Sequence, residues 1–261
     1  MAEPVYHPVI AFAKIVFRTL GIRFHITGTD NVPLSGGAVM AINHVGYLDF
    51  TFAGFVTRPR GRLVRFMAKS EVFDHKVSGP LMRGMKHIPV DRSAGAGSYR
   101  TAVAACRRGE IVGVFPEATI SQSFDLKEFK TGAARMAMEA GVPLLPTVIW
   151  GSQRIMTKGR KRDLTRGTDV RVVIGELFWP EAGSKPVQVT RELKARMQAL
   201  LVEARATYRG GPRTPEDTWW VPVSEGGTAP SLAEAEAADA QARAARAARY
   251  ASRTDGSSPA K

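Results

Sequence analysis

Gly37-Ala38-Val39-Met40-Ala41-Ile42-Asn43-His44-Val45-Gly46-Tyr47-Leu48-Asp49 is the stretch from which the rest of the chain can be read. Its first six residues are an apolar run behind the turn signal Ser35-Gly36-Gly37, too short for a helix and suited to a buried strand. From Leu48 to Phe55 apolar residues recur at helical spacing, and Arg58-Pro59-Arg60-Gly61 stops them. Strand, polar loop and helix in succession build α/β sheets, in which reactive groups gather at the carboxyl ends of strands. His44 is expected at such an end. Asp49, five positions on, opens the following helix, where unsatisfied backbone N–H groups favour an acidic side chain.

The same alternation extends to both sides. Val9 to Leu20 reads as an amphipathic helix, with Lys14 and Arg18 interrupting its apolar residues, and Ile22 to Thr27 as a half-exposed strand. Further strands are expected at Leu63–Ala68, His87–Val90, Ile111–Phe115, Leu144–Trp150 and Val170–Ile174. Helices are expected at Val77–Arg83, Tyr99–Arg108, Gly132–Ala140 and about Val189–Tyr208. Ala94-Gly95-Ala96-Gly97 reads as a turn, Lys158–Arg162 as a basic hairpin-like loop, and the prolines at 143 and 146 argue for an irregular or edge position of their strand. These elements predict an α/β fold: a three-layer domain with a mixed, largely parallel sheet flanked by helices. It spans 28–209, after an N-terminal amphipathic helix and lead-in strand in 1–27. From Gly210 to residue 261 the composition turns to Gly, Pro and Ser and then to alanine, which predicts a linker and a largely disordered tail holding at most a marginal helix.

The chain has 261 residues and a formal net charge of +13. The segment from Gly210 carries 6 basic and 7 acidic residues, so the charge belongs to the folded part, at +14. Such a balance attracts anionic partners: nucleic acid, phosphorylated molecules or an acidic membrane leaflet. The single cysteine, Cys106, rules out an internal disulfide and fits a reducing compartment. No secretory leader and no run long enough to span a bilayer is visible, whereas the first helix suits a membrane interface. A peripheral or monotopic protein at the cytoplasmic face of the membrane is the expectation. No metal-ligand cluster or nucleotide-binding glycine fingerprint is visible, so neither metal nor cofactor is expected.

A histidine beside a carboxylate acts as a general base when the carboxylate fixes its tautomer and stabilises the imidazolium. No serine or cysteine is paired with His44 in the sequence, so a hydroxyl of the substrate is the natural proton donor, and transfer proceeds without a covalent enzyme intermediate. Three further stretches sit at matching strand ends. In Gly84-Met85-Lys86-His87-Ile88-Pro89-Val90-Asp91-Arg92 a guanidinium follows a strand and can grip a phosphate with two N–H groups. Phe115-Pro116-Glu117-Ala118-Thr119 ends the next strand in a carboxylate and a hydroxyl. Gly141 to Ile149 offers an apolar wall through Val142, Pro143 and Pro146.

With these four blocks in order and at approximately the family's spacing, the chain from about Gly28 to Ile174 resembles the glycerolipid acyltransferases, whose best-known members are the 1-acylglycerol-3-phosphate O-acyltransferases. The resemblance implies transfer of a fatty acyl group from acyl-CoA or acyl carrier protein to lysophosphatidic acid, giving phosphatidic acid. His44 corresponds to the general base and Asp49 to its support, with Asn43 in the same motif. Arg92 corresponds to the acceptor-phosphate arginine, and Glu117 and Thr119 to the acceptor site. Gly84, Pro89, Val90, Asp91, Phe115 and Pro116 complete the motifs, and Val142, Pro143 and Pro146 would wall the acyl chain. The third block departs from the family's Phe-Pro-Glu-Gly-Thr-Arg-Ser at Ala118 and Ile120, which removes an expected phosphate contact. Lys69 is then the first substitute cation, followed by Lys127 and Lys130. The rival readings are the same chemistry on glycerol 3-phosphate, another lysophospholipid or a glycolipid, and a basic nucleic-acid-binding domain.

Overall fold

The computed structural model describes residues 3–91 and 95–255. In chain order it forms α1 (Tyr6–Thr19), β1 (Arg23–Thr27), β2 (Ala38–Ile42), α2 (Asp49–Val56), β3 (Val64–Lys69), the short helices α3 (Ser70–Asp74) and α4 (Ser78–Gly84), and β4 (Ile88–Val90). Then follow α5 (Gly95–Arg107), β5 (Ile111–Val114), α6 (Gly132–Ala140), β6 (Leu144–Trp150), β7 (Asp169–Ile174), α7 (Pro186–Ala206) and α8 (Leu232–Asp255). Two compact units result, Met1–Ile120 with Glu128–Gly211, and Ser121–Lys127 with Pro212–Lys261.

The larger unit is built on a seven-stranded sheet in the order β1-β7-β6-β2-β5-β3-β4. All neighbours are parallel except β6 and β7, so β1 and β7 run against the other five strands. Helices cover both faces. α5, α6 and α7 lie on one, and α7 turns Val189, Leu193, Met197, Leu201 and Ala204 inward at steps of four and three. On the other face α2 is apolar on every side except Asp49 and Thr51, because it is sandwiched between the sheet and α1. Phe17 of α1 meets Phe24, Phe52 and Phe55 at ring-centroid distances of 5.2–5.7 Å, closing that layer. β2 lies between the layers and all five of its residues are buried, which explains its uninterrupted apolar run.

The expected α/β architecture is present, with three differences. β6 is neither an edge strand nor irregular: it lies between β7 and β2 with all seven residues buried. The missing N–H of Pro146 falls one residue before the β6–β7 ladder, which begins at Thr147 opposite Ile174, while its carbonyl still accepts from the Gly175 N–H at 2.9 Å. Gly95 and Gly97 are the first turn of α5 rather than part of a separating loop. The alanine-rich segment forms the 24-residue α8, in which Ala235 and Asp239 are buried. Within that smaller unit Lys127 pairs with Asp239, and Phe124 meets Trp219 edge to face. A loop far away in sequence thus supplies the ion-pair partner of α8.

Candidate active site

β2 and β5 pair through Ala41 and Val114, and extending that register sets His44 opposite Glu117. The backbone N–H of His44 donates to Glu117 Oε1 at 2.8 Å, and the imidazole stacks on Phe115 at 4.1 Å. Nδ1 of His44 lies 3.0 Å from Asp49 Oδ2. The same oxygen accepts the N–H groups of Val45 and Gly46, each at 2.8 Å. Asp49 Oδ1 accepts from Ser152 Oγ at 2.5 Å. A carboxylate with no solvent exposure thus has four donors, which is what burial of a charge requires. Asp49 holds the proton on Nδ1, and Nε2 makes no hydrogen bond among the described residues. The His44 side chain keeps 20 % of its exposure, so that nitrogen can accept a substrate proton.

The β6–β7 loop clamps the His44–Asp49 loop from one side. Tyr47 N–H donates to Met156 O at 2.9 Å and Thr157 Oγ1 to Val45 O at 2.7 Å. A Cβ at Gly46 would come within 3.1–3.2 Å of Met156 and Ser152 backbone atoms, so glycine permits the approach. Asn43 bridges to β6, accepting the Ile149 N–H at 2.7 Å and donating to Ile149 O at 3.0 Å; it fixes where β2 ends. Ser152, 103 residues from Asp49, was not among the sequence candidates. Nothing in local spacing marks it; only the adjacency of β6 and β2 brings it there.

Ala118 has φ = 62°, the left-handed region, so the third block's turn is one that glycine makes without strain. Ile120 is buried at 6 % exposure, with Thr119 half-buried beside it. The exposed Lys130 is anchored near Glu117, its N–H donating to Pro116 O at 2.9 Å. Lys69 ends β3, exposed and paired in register with Val90, so it stands at the strand end that leads through Asp91 to Arg92. Arg92 itself lies outside the described residues. Gly84, at the end of α4, lets Val5 approach: a Cβ there would be 2.6 Å from its side chain. Lys127 belongs to the smaller unit, in its ion pair with Asp239.

The residues of the fourth block expected to form an apolar wall do not gather at the His44 end of the sheet. Pro143 O accepts the N–H of Val39 at 3.0 Å, so Val142 and Pro143 stand at the amino end of β2, the sheet edge opposite His44, and Pro146 lies beside Ala41. β6 runs parallel to β2, and the block therefore begins far from the site and ends near it. Apolar surface is found in a cleft of about 60 Å³ between α1, α2 and β3, lined by Ile10, Ala13, Phe50, Phe55, Phe66 and Met85. His87 forms part of its wall, and burial together with the Arg65 guanidinium pushes its pKa down to about 4.

Among the described residues no group of three or more His, Cys, Asp or Glu side chains could hold a metal ion. No helix among them is long and apolar enough to cross a membrane.

Residues 23–150 match the family model described as Acyltransferase. Over 149 residues the chain is 31% identical to the 1-acyl-sn-glycerol-3-phosphate acyltransferase of Bacillus subtilis (strain 168), covering 56% of this chain and 69% of that protein. The enzyme of the same name from Borreliella burgdorferi is 29% identical over 154 residues, 57% of this chain and 59% of that protein. In fold, the chain is similar to the crystal structure of the 1-acyl-sn-glycerophosphate (LPA) acyltransferase PlsC from Thermotoga maritima, with a TM-score of 0.65, 24% identity and coverage of 78% of this chain and 81% of that one. The matched region contains the whole His44–Asp49 loop and the third block, and the identity extends over more than two thirds of the Bacillus enzyme; the chain belongs to the acyltransferase family.

Proposed function

We propose that this enzyme acylates the free hydroxyl of 1-acyl-sn-glycerol 3-phosphate, giving phosphatidic acid, with acyl-CoA or an acylated carrier protein as donor. The observation that carries the reading is the His44 imidazole, held at Nδ1 by a buried Asp49 and open at Nε2. Nε2 takes the proton of the acceptor hydroxyl while its oxygen attacks the thioester carbonyl. The carbon–sulfur bond then breaks, and the departing thiolate takes a proton from the imidazolium or from water. Asp49 stabilises the imidazolium between these two steps. The family membership favours this chemistry over the nucleic-acid reading of the basic charge.

Glu117, linked to the catalytic loop through the His44 N–H, is assigned to the acceptor side together with Thr119. Lys69 and Lys130, exposed at the ends of β3 and beside the third block, are the cations we assign to the acceptor phosphate with Arg92. The cleft starting at Phe50, the residue after Asp49, is assigned to an acyl chain. Access to lipid substrates is proposed to be peripheral. α1 supports this, because Phe12 and Ile15 stay 66% and 63% exposed beside Lys14 and Arg18. A second reading, the same chemistry on another lysophospholipid or a glycolipid, is favoured by the buried Ile120 where the family carries arginine.

Thiol release from acyl-CoA, followed against a panel of acceptors, tests both readings. The phosphorylated monoacylglycerol is expected to be used best, and His44→Ala to lower kcat at least about 10³-fold on it. Full activity of His44→Ala on any acceptor would falsify the mechanism, and preference for an acceptor without phosphate selects the second reading.

A further inference from the structure

The β6–β7 loop that clamps the catalytic loop is tied at both ends. Asp163 N–H donates to Ile155 O at 2.8 Å, and Gly167 N–H to Leu20 O, just beyond α1, at 2.9 Å. β6 ends and the reversed β7 begins on the sheet edge that carries His44, so residues 156–166 lie on that edge. Arg160, Lys161, Arg162 and Arg166 are exposed there, Lys158 is half-buried, and Asp163 is the one acid of the segment. Among these charges Leu164 is 51% exposed and Met156 37%, while Tyr47, whose N–H is bonded to Met156, is 47% exposed.

A small anion or an acidic protein would account for the cations but not for apolar side chains standing in water between them. An anionic lipid surface accounts for both, taking the apolar tips at the acyl boundary and the cations among the headgroups. We propose that residues 156–166 are a lipid-docking arm that seats the His44 edge of the sheet on an anionic bilayer, so that a lipid acceptor reaches the site without leaving the surface. The inference rests on the glycerolipid reading above and adds the surface through which the lipid arrives.

The test places an environment-sensitive fluorophore on Leu164→Cys and, as reference, on Leu34→Cys, which is exposed in the β1–β2 connection at the opposite sheet edge. The native Cys106 does not compete for the label, being buried with its thiol pushed up to about 12. With vesicles of phosphatidylcholine and phosphatidylglycerol at low salt, the emission at 164 is expected to shift to the blue and that at 34 to stay unchanged. Lys161→Gln/Arg162→Gln is expected to weaken vesicle partitioning about thirtyfold. A protein that sediments with the vesicles while the label at 164 remains in water overturns the proposal, as do equal shifts at both positions or no sedimentation at all. Acyl transfer to a lipid acceptor, assayed on the same preparations, fails separately if the glycerolipid reading is wrong.

Discussion

The His44–Asp49 loop and the Phe115–Ile120 loop leave neighbouring strands of one sheet, β2 and β5, yet they are held by different means. The first is held by a buried carboxylate with four donors and by two bonds from the β6–β7 loop. The second makes its turn through an alanine in a left-handed conformation and buries an isoleucine at its end. The geometry of the His44–Asp49 loop is thus over-determined, whereas the Phe115–Ile120 loop rests on a turn its own residues disfavour. Asp49→Asn separates charge from geometry in the first loop. The amide oxygen can keep the Val45, Gly46 and His44 contacts, and the amide nitrogen can meet a reoriented Ser152 hydroxyl. A nearly unchanged melting temperature with kcat about 10³-fold lower is therefore expected, because no anion remains to stabilise the imidazolium. Retained activity in rate assays would mean that Asp49 acts through geometry alone.

Ile120→Arg probes the second loop with the next largest effect. At 6 % exposure an arginine has to bury an unpaired guanidinium or push the turn open. A loss of about 3 kcal/mol in unfolding free energy is expected, with no gain in affinity for a phosphorylated acceptor. A lower KM for that acceptor at unchanged stability would show that the side chain can swing to the site, and would erase this part of the contrast.

What could be read from the sequence follows the same division. His44 and Asp49 are five residues apart, and their contact needs only a strand end followed by a helix start, both marked by apolar spacing and turn residues. The partner of Glu117 is a backbone N–H 73 residues away and that of Asp49 Oδ1 a hydroxyl 103 residues away. Such contacts depend on strand order, which hydropathy does not encode. Pro143 and Pro146 point away from an interior strand only if a ladder needs their missing N–H; Pro143 precedes β6, and Pro146 stands just outside the β6–β7 ladder. The alanine-rich segment reads as at most a marginal helix for a similar reason: it lacks large apolar side chains, and the ion pair to Lys127 that helps bury it reaches 112 residues back.

Ser152→Ala gives a smaller, diagnostic effect. It leaves one oxygen of a fully buried carboxylate without its donor, at a cost of about 1–2 kcal/mol in stability. If Ser152 positions Asp49 for catalysis, kcat falls about tenfold while KM for both substrates holds. Loss of stability with unchanged kcat would make Ser152 a packing residue of the β6–β7 loop and reduce the over-determination to the backbone donors.

The smallest effect is the sharpest test of the contrast, because its sign is what matters. Ala118 pays the left-handed penalty of about 1–2 kcal/mol, which glycine avoids. Glycine also adds freedom to the unfolded chain, worth about 0.4–1 kcal/mol in the opposite direction. Ala118 is exposed, so its methyl group contributes little packing to offset the difference. Ala118→Gly is therefore expected to stabilise the protein by about 0.5 kcal/mol, a rise of roughly 1–2 °C in Tm for a unit of this size. A fall in Tm would mean that the turn is supported elsewhere and that Ala118 is not a source of strain. A rise accompanied by altered acceptor preference would tie the conformation of this one turn to the choice of hydroxyl that His44 activates.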